Sequence, residues 1–172
     1  MLAQSPRLPW VRVGEQIRQM KLIPILLTLG MLTVNGWAER YTPEPYSPEL
    51  VNMAKAGDAK AQLALGDSYY LGNGVRKDRT EAMKWVTRSA EQGNAEAQCV
   101  LGRETTDTKK AVKWLTKSAE QGNGVAQREL GYCYVKGKGV TKDDKEAFKW
   151  FTKSAEQGDE SAKKELEKLK SK

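Results

Sequence analysis

The sequence has no histidine and only two cysteines among its 172 residues. Histidine is the side chain that most often acts as a general base near neutral pH, and it is also the most common nitrogen ligand of zinc. Without it, Ser-His-Asp and Cys-His catalytic sites cannot be built, and neither can zinc sites that depend on imidazole. We therefore expect no cofactor, no metal site and no catalytic site of these kinds.

The charge balance is only mildly basic once the N-terminal segment is set aside. Of the formal net charge of +7, residues 1–38 contribute +3, which leaves +4 for the rest of the chain. Acidic residues are interleaved with the basic ones throughout this remainder. A strong basic patch is the usual mark of a nucleic-acid-binding surface, so no nucleic-acid partner is expected.

The only long uncharged run is "LIPILLTLGMLTV", residues 22–34. It is shorter than the roughly 20 residues that span a bilayer, but it suits the core of a signal peptide. Basic residues precede the run, and the small residues Gly36 and Ala38 follow it. We predict a signal peptide at 1–38 with cleavage after Ala38, with Met20 as a second possible translation start; an uncleaved membrane anchor is the alternative.

Cleavage would leave a periplasmic or secreted protein without a stable membrane anchor. Residues 39–47, "ERYTPEPYS", are polar and rich in proline and predict a linker.

The rest of the chain repeats itself. The phrase "KWVTRSAEQG" returns as "KWLTKSAEQG" and as "KWFTKSAEQG", and the glycines that end the repeats, Gly57, Gly93, Gly122 and Gly158, are spaced 36, 29 and 36 residues apart. Alanine, leucine and tryptophan positions follow the same spacing. Periods of this length are typical of solenoid proteins built from small supersecondary units.

Each unit predicts a pair of helices, and the fold class is all-α. In the first unit, Ala61, Leu65 and Tyr69 form one apolar stripe at helical spacing. A glycine-rich stretch then ends this helix, and Asp78 is placed to cap the next. A helical hairpin is too thin to bury both faces alone, whereas stacked hairpins share a continuous core.

The residues that repeat resemble Sel1-like repeats, which are αα-hairpin relatives of tetratricopeptide repeats. The resemblance rests on "AEAQCVLG", "LGNGVRKDRTEAMKWVTRSAEQG" and "KGKGVTKDDKEAFKWFTKSAEQG", and it covers about residues 54–163. It implies a solenoid with a half-repeat helix at 48–57, repeats at 58–93, 94–122 and 123–158, and a polar capping helix at 159–172. It also implies a non-catalytic protein that binds other proteins, as an adaptor, regulator or inhibitor.

The middle repeat is seven residues shorter than the others and lacks the "G-x-G-V" loop. One interpretation is a notch in the stack, with Thr106 or Asp107 capping a shortened second helix. The other is sequence drift without functional consequence.

One surface of the first helices is predicted to bind a protein or peptide, because it lies opposite the apolar stripe. The resemblance implies that the first helices line the concave side of the solenoid. Mixed charges with a tyrosine and arginines suit protein recognition, whereas the alternative is a surface that only contacts water. The predicted surface residues are Lys60, Leu63, Asp67, Glu96, Cys99, Arg103, Val125, Arg128, Tyr132, Lys164 and Lys168.

The second helices carry repeated tryptophans and basic pairs. We expect Trp85, Trp114 and Trp150 to pack in the core. The basic pairs predict either a solvated face or an anionic docking stripe, with a glutamate three residues beyond each pair in ion-pair range. These pairs and glutamates are Lys84 and Arg88 with Glu91, Lys113 and Lys117 with Glu120, and Lys149 and Lys153 with Glu156.

Two further questions stay open at this point. Cys99 and Cys133 differ in repeat register and should face different ways, yet export to an oxidising compartment would permit a disulfide between them. Secreted, cysteine-rich relatives of these repeats are linked to β-lactam or cell-wall hydrolysis, which makes such an enzyme the alternative function. This chain lacks their regular cysteine pairs, and its Ser161-x-x-Lys164 motif lies in a predicted solvated helix.

Overall fold

The computed structural model describes residues 46–171, which form eight α-helices and no strand, as the sequence predicts. The predicted signal peptide at 1–38 and nearly all of the linker at 39–47 lie outside the described residues. The helices are α1 (Pro48–Lys55), α2 (Ala59–Leu71), α3 (Arg79–Glu91), α4 (Ala95–Glu104), α5 (Thr108–Glu120), α6 (Gly124–Lys136), α7 (Asp144–Glu156) and α8 (Glu160–Lys170).

Every one of these helices begins after a short polar residue that caps it. The side chain of each capping residue accepts a hydrogen bond from a backbone N–H in the first turn, which would otherwise lack a partner. The caps are Ser47, Asp58, Asp78, Asn94, Asp107, Asn123, Asp143 and Asp159.

Tight glycine turns join one hairpin to the next. Gly57, Gly93, Gly122 and Gly158 have φ values of 90–99°, a conformation that side chains with a Cβ rarely adopt. The capping Asp or Asn follows each glycine directly, so the chain reverses within a few residues. The 36- and 29-residue spacing in the sequence is therefore the spacing of these reversals.

The core lies between neighbouring hairpins as well as within them. Leu63 of α2 packs with Val86 and Ala90 of α3 and with Leu101 of α4. A second cluster joins α4, α5 and α6 in the same way. Each hairpin thus buries its apolar surface against the next, as expected for a solenoid. Within residues 46–171, no helix has the length and apolar character needed to cross a membrane.

In each hairpin a glycine of the first helix lies in close contact with a side chain of the second. Gly131 in α6 lies against Phe151 in α7, and a methyl group added at Gly131 would be only 2.7–2.9 Å from three atoms of the ring. Gly66 faces Val86 and Gly102 faces Leu115 in the same manner. The side chain opposite the glycine therefore sets the packing of each hairpin, and it grows from valine to leucine to phenylalanine along the chain.

A repeated set of polar side chains also ties the helices together. In the middle hairpin, the Ser118 hydroxyl donates to the Ala95 carbonyl at 2.6 Å, and the buried Gln98 amide donates to the Ala90 carbonyl of the preceding hairpin at 3.1 Å. The serine therefore joins the two helices of one repeat, and the glutamine joins successive repeats. The equivalent residues are Ser89 and Ser154, and Gln62 and Gln127.

Candidate functional site

The middle hairpin is shorter than its neighbours, and the missing residues come from its first helix and its loop. Helix α4 has 10 residues where α2 and α6 have 13, and the loop before α5 has three residues where the other two loops have seven. The prediction of a shortened second helix is wrong, because α5 keeps 13 residues. Asp107 supplies its cap by accepting from the N–H groups of Lys109 and Lys110.

The missing loop changes how the hairpins meet. In the third repeat, Gly139 of the long loop lies directly against the Thr108 carbonyl at the start of α5. The middle repeat has no such loop to cover the start of α3. Arg79, the first residue of α3, instead forms an ion pair with Glu104, the last residue of α4. The surface is therefore recessed on both sides of the end of α4.

The recess toward the third repeat, which we call the notch cleft, has a volume of about 340 Å³. Its walls come from the end of α4, the start of α5 and the second half of α6. Polar and charged side chains predominate around it, among them Arg103, Thr105, Thr108, Glu129, Tyr132, Lys136 and Lys138.

The recess toward the first repeat, which we call the apolar cleft, has a volume of about 260 Å³. Its apolar lining consists of Ala82, Met83, Val86 and Val100. Its polar lining is Asp67, Tyr70, Arg103 and Glu104. Because Arg103 lines both recesses, they adjoin one another across the end of α4.

Three of the predicted surface residues line these clefts, namely Asp67, Arg103 and Tyr132. Lys60 and Glu96 are exposed in the first turns of α2 and α4, away from the clefts, and Val125 is exposed in the first turn of α6. Lys164 and Lys168 are exposed on α8, where Lys168 pairs with Glu165 at 2.8 Å.

The prediction that Leu63 and Cys99 are exposed on this surface is wrong. Leu63 is 4% exposed and Cys99 is 5% exposed, and both pack against the following hairpin. Their register position faces the next repeat, because successive hairpins stack along that side of the first helix. Arg128 holds the same position in the third repeat, where the neighbour is the polar helix α8.

Arg128 is therefore engaged within the fold and is not a free contact for a partner. Its guanidinium forms an ion pair with Asp159 at 2.7 Å and another with Glu129 at 3.3 Å. Burial alone would raise the pKa of Asp159, but the Ala162 N–H and the Arg128 charge outweigh it and hold that pKa below its usual value. The ion pair thus ties α6 to the cap of α8.

Replacing Arg128 with methionine should destabilise the protein by about 1 kcal/mol at pH 7, because both partners of the ion pair keep some contact with water. Because the fold lowers the pKa of the Asp159 carboxyl, the ionised carboxylate stabilises the folded state above about pH 4. This stabilisation is lost as the pH falls through the folded-state pKa. The difference in melting temperature between wild type and Arg128→Met should therefore shrink between pH 5 and pH 2.

The matched control is Lys163→Met, which removes an exposed cation paired with Glu160 on α8. It should change the melting temperature little at either pH. A gap between wild type and Arg128→Met that stays constant down to pH 2 would contradict the assigned ion pair.

Tyr132 is held in a defined orientation in the notch cleft. Its ring meets that of Phe151 edge to face, with centroids 5.2 Å apart, and the Lys136 amino group lies 5.7 Å from the centre of the Tyr132 ring. Burial, followed by the charge of Glu165, raises the pKa of Tyr132, so the hydroxyl stays protonated at neutral pH. Tyr132 can therefore offer a hydrogen-bond donor to a ligand.

Both cysteines are free, buried thiols in one cluster between the second and third repeats. Burial raises the pKa of Cys99 to about 11, and it raises the pKa of Cys133 as well. A thiol with this pKa is a thiolate in only about one molecule per thousand at pH 8. Neither cysteine therefore has the environment of a reactive nucleophile.

We expect native protein to react slowly with a thiol reagent such as DTNB at pH 8, and both thiols to react quickly after unfolding in guanidinium. Cys133 should react before Cys99, because Cys133 lines the notch cleft. The Cys133→Ala variant, which keeps only Cys99, identifies the slower thiol. Immediate labelling of both thiols in the native protein would refute this assignment.

The tryptophans pack as the sequence predicts, but the basic residues beside them have different partners. Trp85 is buried, and Trp114 and Trp150 are half-buried against the cores. Arg88, Lys117 and Lys153 lie over the three indole rings at 4.4–4.7 Å. Within the described chain, none of these cations pairs with the predicted glutamates Glu91, Glu120 and Glu156, since the cations point back over the preceding turn.

Several cleft residues were not predicted from the sequence, namely Tyr70, Glu129, Lys136 and Lys138. The only sequence signal for Tyr70 and Lys136 is their place at the ends of first helices in the two full-length repeats. Among residues 46–171, no group of three cysteine or acidic side chains is placed to hold a metal ion.

The described chain is thus a solenoid of helical hairpins with recesses where one hairpin is short. The Sel1 repeat family model matches residues 59–94, 95–123 and 124–159, which is more than half of the chain. The protein belongs to the Sel1 repeat family. These repeats generally form non-catalytic scaffolds that mediate protein–protein interactions.

Two solved structures show the same architecture. The Sel1 repeat protein from Oxalobacter formigenes is 37% identical, with a TM-score of 0.66, and the alignment covers 70% of this chain and 96% of that one. The protein c5321, a protective antigen of uropathogenic Escherichia coli, is 44% identical with a TM-score of 0.64, over 66% of this chain and 26% of that one.

A curated relative is similar over a shorter stretch. The secretory immunoglobulin A-binding protein EsiB of Escherichia coli O6:H1 is 49% identical over 41 residues, which is 24% of this chain and 8% of that protein. The chain therefore matches only a small part of that much longer protein.

Proposed function

We propose that this protein is a non-catalytic interaction scaffold, exported to the periplasm or beyond, that binds a segment of another protein in the groove formed by the notch cleft and the apolar cleft. The observation that carries the proposal is the short middle hairpin, which leaves the two recesses side by side on a stack of Sel1 repeats. Repeats of this kind generally bind proteins, and recessed surfaces with tyrosine and arginine are favoured in such interfaces.

The environment of the candidate catalytic groups also supports a non-catalytic role. Ser161 and Lys164 are exposed on α8. The Cys99 and Cys133 thiols are buried, and burial raises both of their pKa values. None of these groups has the activated setting that a nucleophile requires. Hydrolysis of a β-lactam or of the cell wall therefore has no specific support.

Export is supported by the apolar run at 22–34 and the small residues after it. Among the similar proteins, a binder of secretory immunoglobulin A and a protective bacterial antigen agree with this proposal. Cell fractionation of the full chain, with sequencing of its N-terminus, tests it. A mature protein that begins at Glu39 in the periplasm or medium is expected, and an intact cytoplasmic chain would contradict export.

The groove is tested by comparing what variants capture from an envelope extract. The double variant Arg103→Glu with Tyr132→Ala should bind the partner with an affinity roughly thirtyfold lower or weaker still, as expected when central contacts of an interface are removed. The matched control is Lys113→Glu with Phe148→Ala, which also reverses one cation and truncates one aromatic ring, but on the second helices.

Helicity of each variant is checked by circular dichroism, so that a loss of capture is not confused with unfolding. A partner that wild type and the control both capture, and that the groove variant loses, supports the proposal. Equal capture by the groove variant and wild type would place the interaction elsewhere.

A further inference from the structure

The notch cleft carries an excess of positive charge. Arg103, Lys136 and Lys138 line it, whereas Glu129 is the one acidic residue that residues 46–171 contribute to its lining. These cations come from two different repeats, since Arg103 belongs to α4 and the two lysines belong to the end of α6 and the loop after it. The shortening of the middle hairpin is what allows them to face a common space.

The three cations are also not neutralised within the described part of the chain. Many lysines here pair with a glutamate three residues away, as Lys149 does with Glu146 at 2.5 Å. Arg103 and Lys138 form no ion pair among residues 46–171, and the Lys136 amino group lies over the Tyr132 ring. An anionic group entering the cleft would therefore meet free charge without breaking an existing ion pair.

The size and composition of the cleft favour a carboxylate over a larger anion. At about 340 Å³, the recess admits a side chain or a short peptide segment but not a flat anionic surface. Glu129 would repel the second charge of a phosphate, whereas a carboxylate carries one charge and can accept from the cations and from the Tyr132 hydroxyl.

The adjoining apolar cleft adds a second requirement. Met83, Val86 and Val100 supply an apolar lining, and Arg103 forms a shared wall with the notch cleft. An extended peptide that places an apolar side chain in one recess can therefore place a nearby side chain in the other. Burial of that apolar side chain would add affinity independent of salt.

We propose that the groove recognises a peptide segment with an apolar side chain in the apolar cleft, where Asp67 and Glu104 disfavour a second acid, and an aspartate or glutamate nearby in the notch cleft, bound by Arg103 and Lys136. This inference rests on the proposed function and names the chemistry of the partner. Arg103 orients the segment because it contacts both recesses. Lys136 sets the preference for a negative charge.

The test is a selection of random peptides displayed on phage against the immobilised full-length chain, followed by affinity measurements with the selected peptides. We expect the peptides to share an aspartate or glutamate near an apolar residue. Changing that acid to its amide should weaken binding roughly tenfold to a hundredfold, as for loss of a charge-assisted hydrogen bond. The same loss is expected for Arg103→Ala.

A charge reversal makes the test specific. When the Lys136→Glu variant is the immobilised target, the selected peptides should carry lysine or arginine at the position where peptides selected on wild type carry an acid. The control Lys142→Glu changes an exposed lysine that lies in the loop that follows α6 but does not line the cleft, and it should select the same acidic peptides as wild type.

Four results would overturn the inference: no peptide selected, selected peptides without a shared acid, equal affinity of the acidic peptides for wild type and Lys136→Glu, or their displacement by inorganic phosphate at low concentration. The last result would assign the cleft to a phosphate-bearing ligand. The proposed scaffold function is tested separately by the capture experiment. After any of these results, that function would still be supported if the Arg103→Glu with Tyr132→Ala variant failed to capture the partner that wild type captures.

Discussion

Replacing Phe151 with alanine should lower the free energy of unfolding by about 3–5 kcal/mol, the usual cost of removing a buried phenylalanine. Its side chain is fully buried and packs against Ala147, Tyr132 and Ala162. It joins the third hairpin to α8, so the cavity would open between two elements that stack. Urea unfolding, monitored by circular dichroism, measures the change, provided that both proteins show the same slope of unfolding free energy against urea concentration.

Phe148 provides a matched control on the same helix. It lies three residues before Phe151 in α7 but is 38% exposed. Phe148→Ala should therefore change stability by no more than about 0.5 kcal/mol, as is usual for surface substitutions. Equal losses for the two variants would show that α7 does not present Phe151 to the core.

Replacing Gly131 with alanine should destabilise the protein, although alanine is the better helix former by about 1 kcal/mol. The new methyl group would lie 2.7–2.9 Å from atoms of the Phe151 ring, and this ring is fully buried in its cluster. Overpacking of this kind typically costs about 1–3 kcal/mol. Urea unfolding of Gly131→Ala measures the net loss.

The sign of this effect should reverse when the ring is absent. In the Phe151→Ala background the clash disappears, and Gly131→Ala should then be neutral or stabilising because only the helix preference remains. The four proteins of this double-mutant cycle differ only at these two positions. A Gly131→Ala effect that is the same in both backgrounds would falsify the proposed contact.

Local signals allowed the sequence to predict the helices and their pairing. Asp78 and the repeated glycines mark where helices begin and end, and these signals act through backbone groups only a few residues away. The apolar stripe of Ala61, Leu65 and Tyr69 gave the buried face of α2 for the same reason. Such features need no knowledge of which hairpin lies next to which.

Predictions that depended on the stacking direction were less accurate. Leu63 and Cys99 lie off the main apolar stripe, so the sequence pattern assigned them to the free surface. They are buried because the following hairpin packs on that side of the first helix. The tryptophan positions were predicted well, but the cations assigned to the glutamates lie over the indole rings instead.

The sequence by itself determined an all-helical stack of Sel1 repeats, because repeat spacing, capping residues and turn glycines act locally and recur in phase. Only the tertiary structure decided where a ligand could enter. The seven missing residues were visible in the sequence, but their consequence depended on which helix shortened and on which neighbours faced the space. Arg103, Tyr132 and Lys136 share a cleft because two hairpins meet there. The local sequence pattern of one segment cannot predict its contact with a segment that is distant in the sequence.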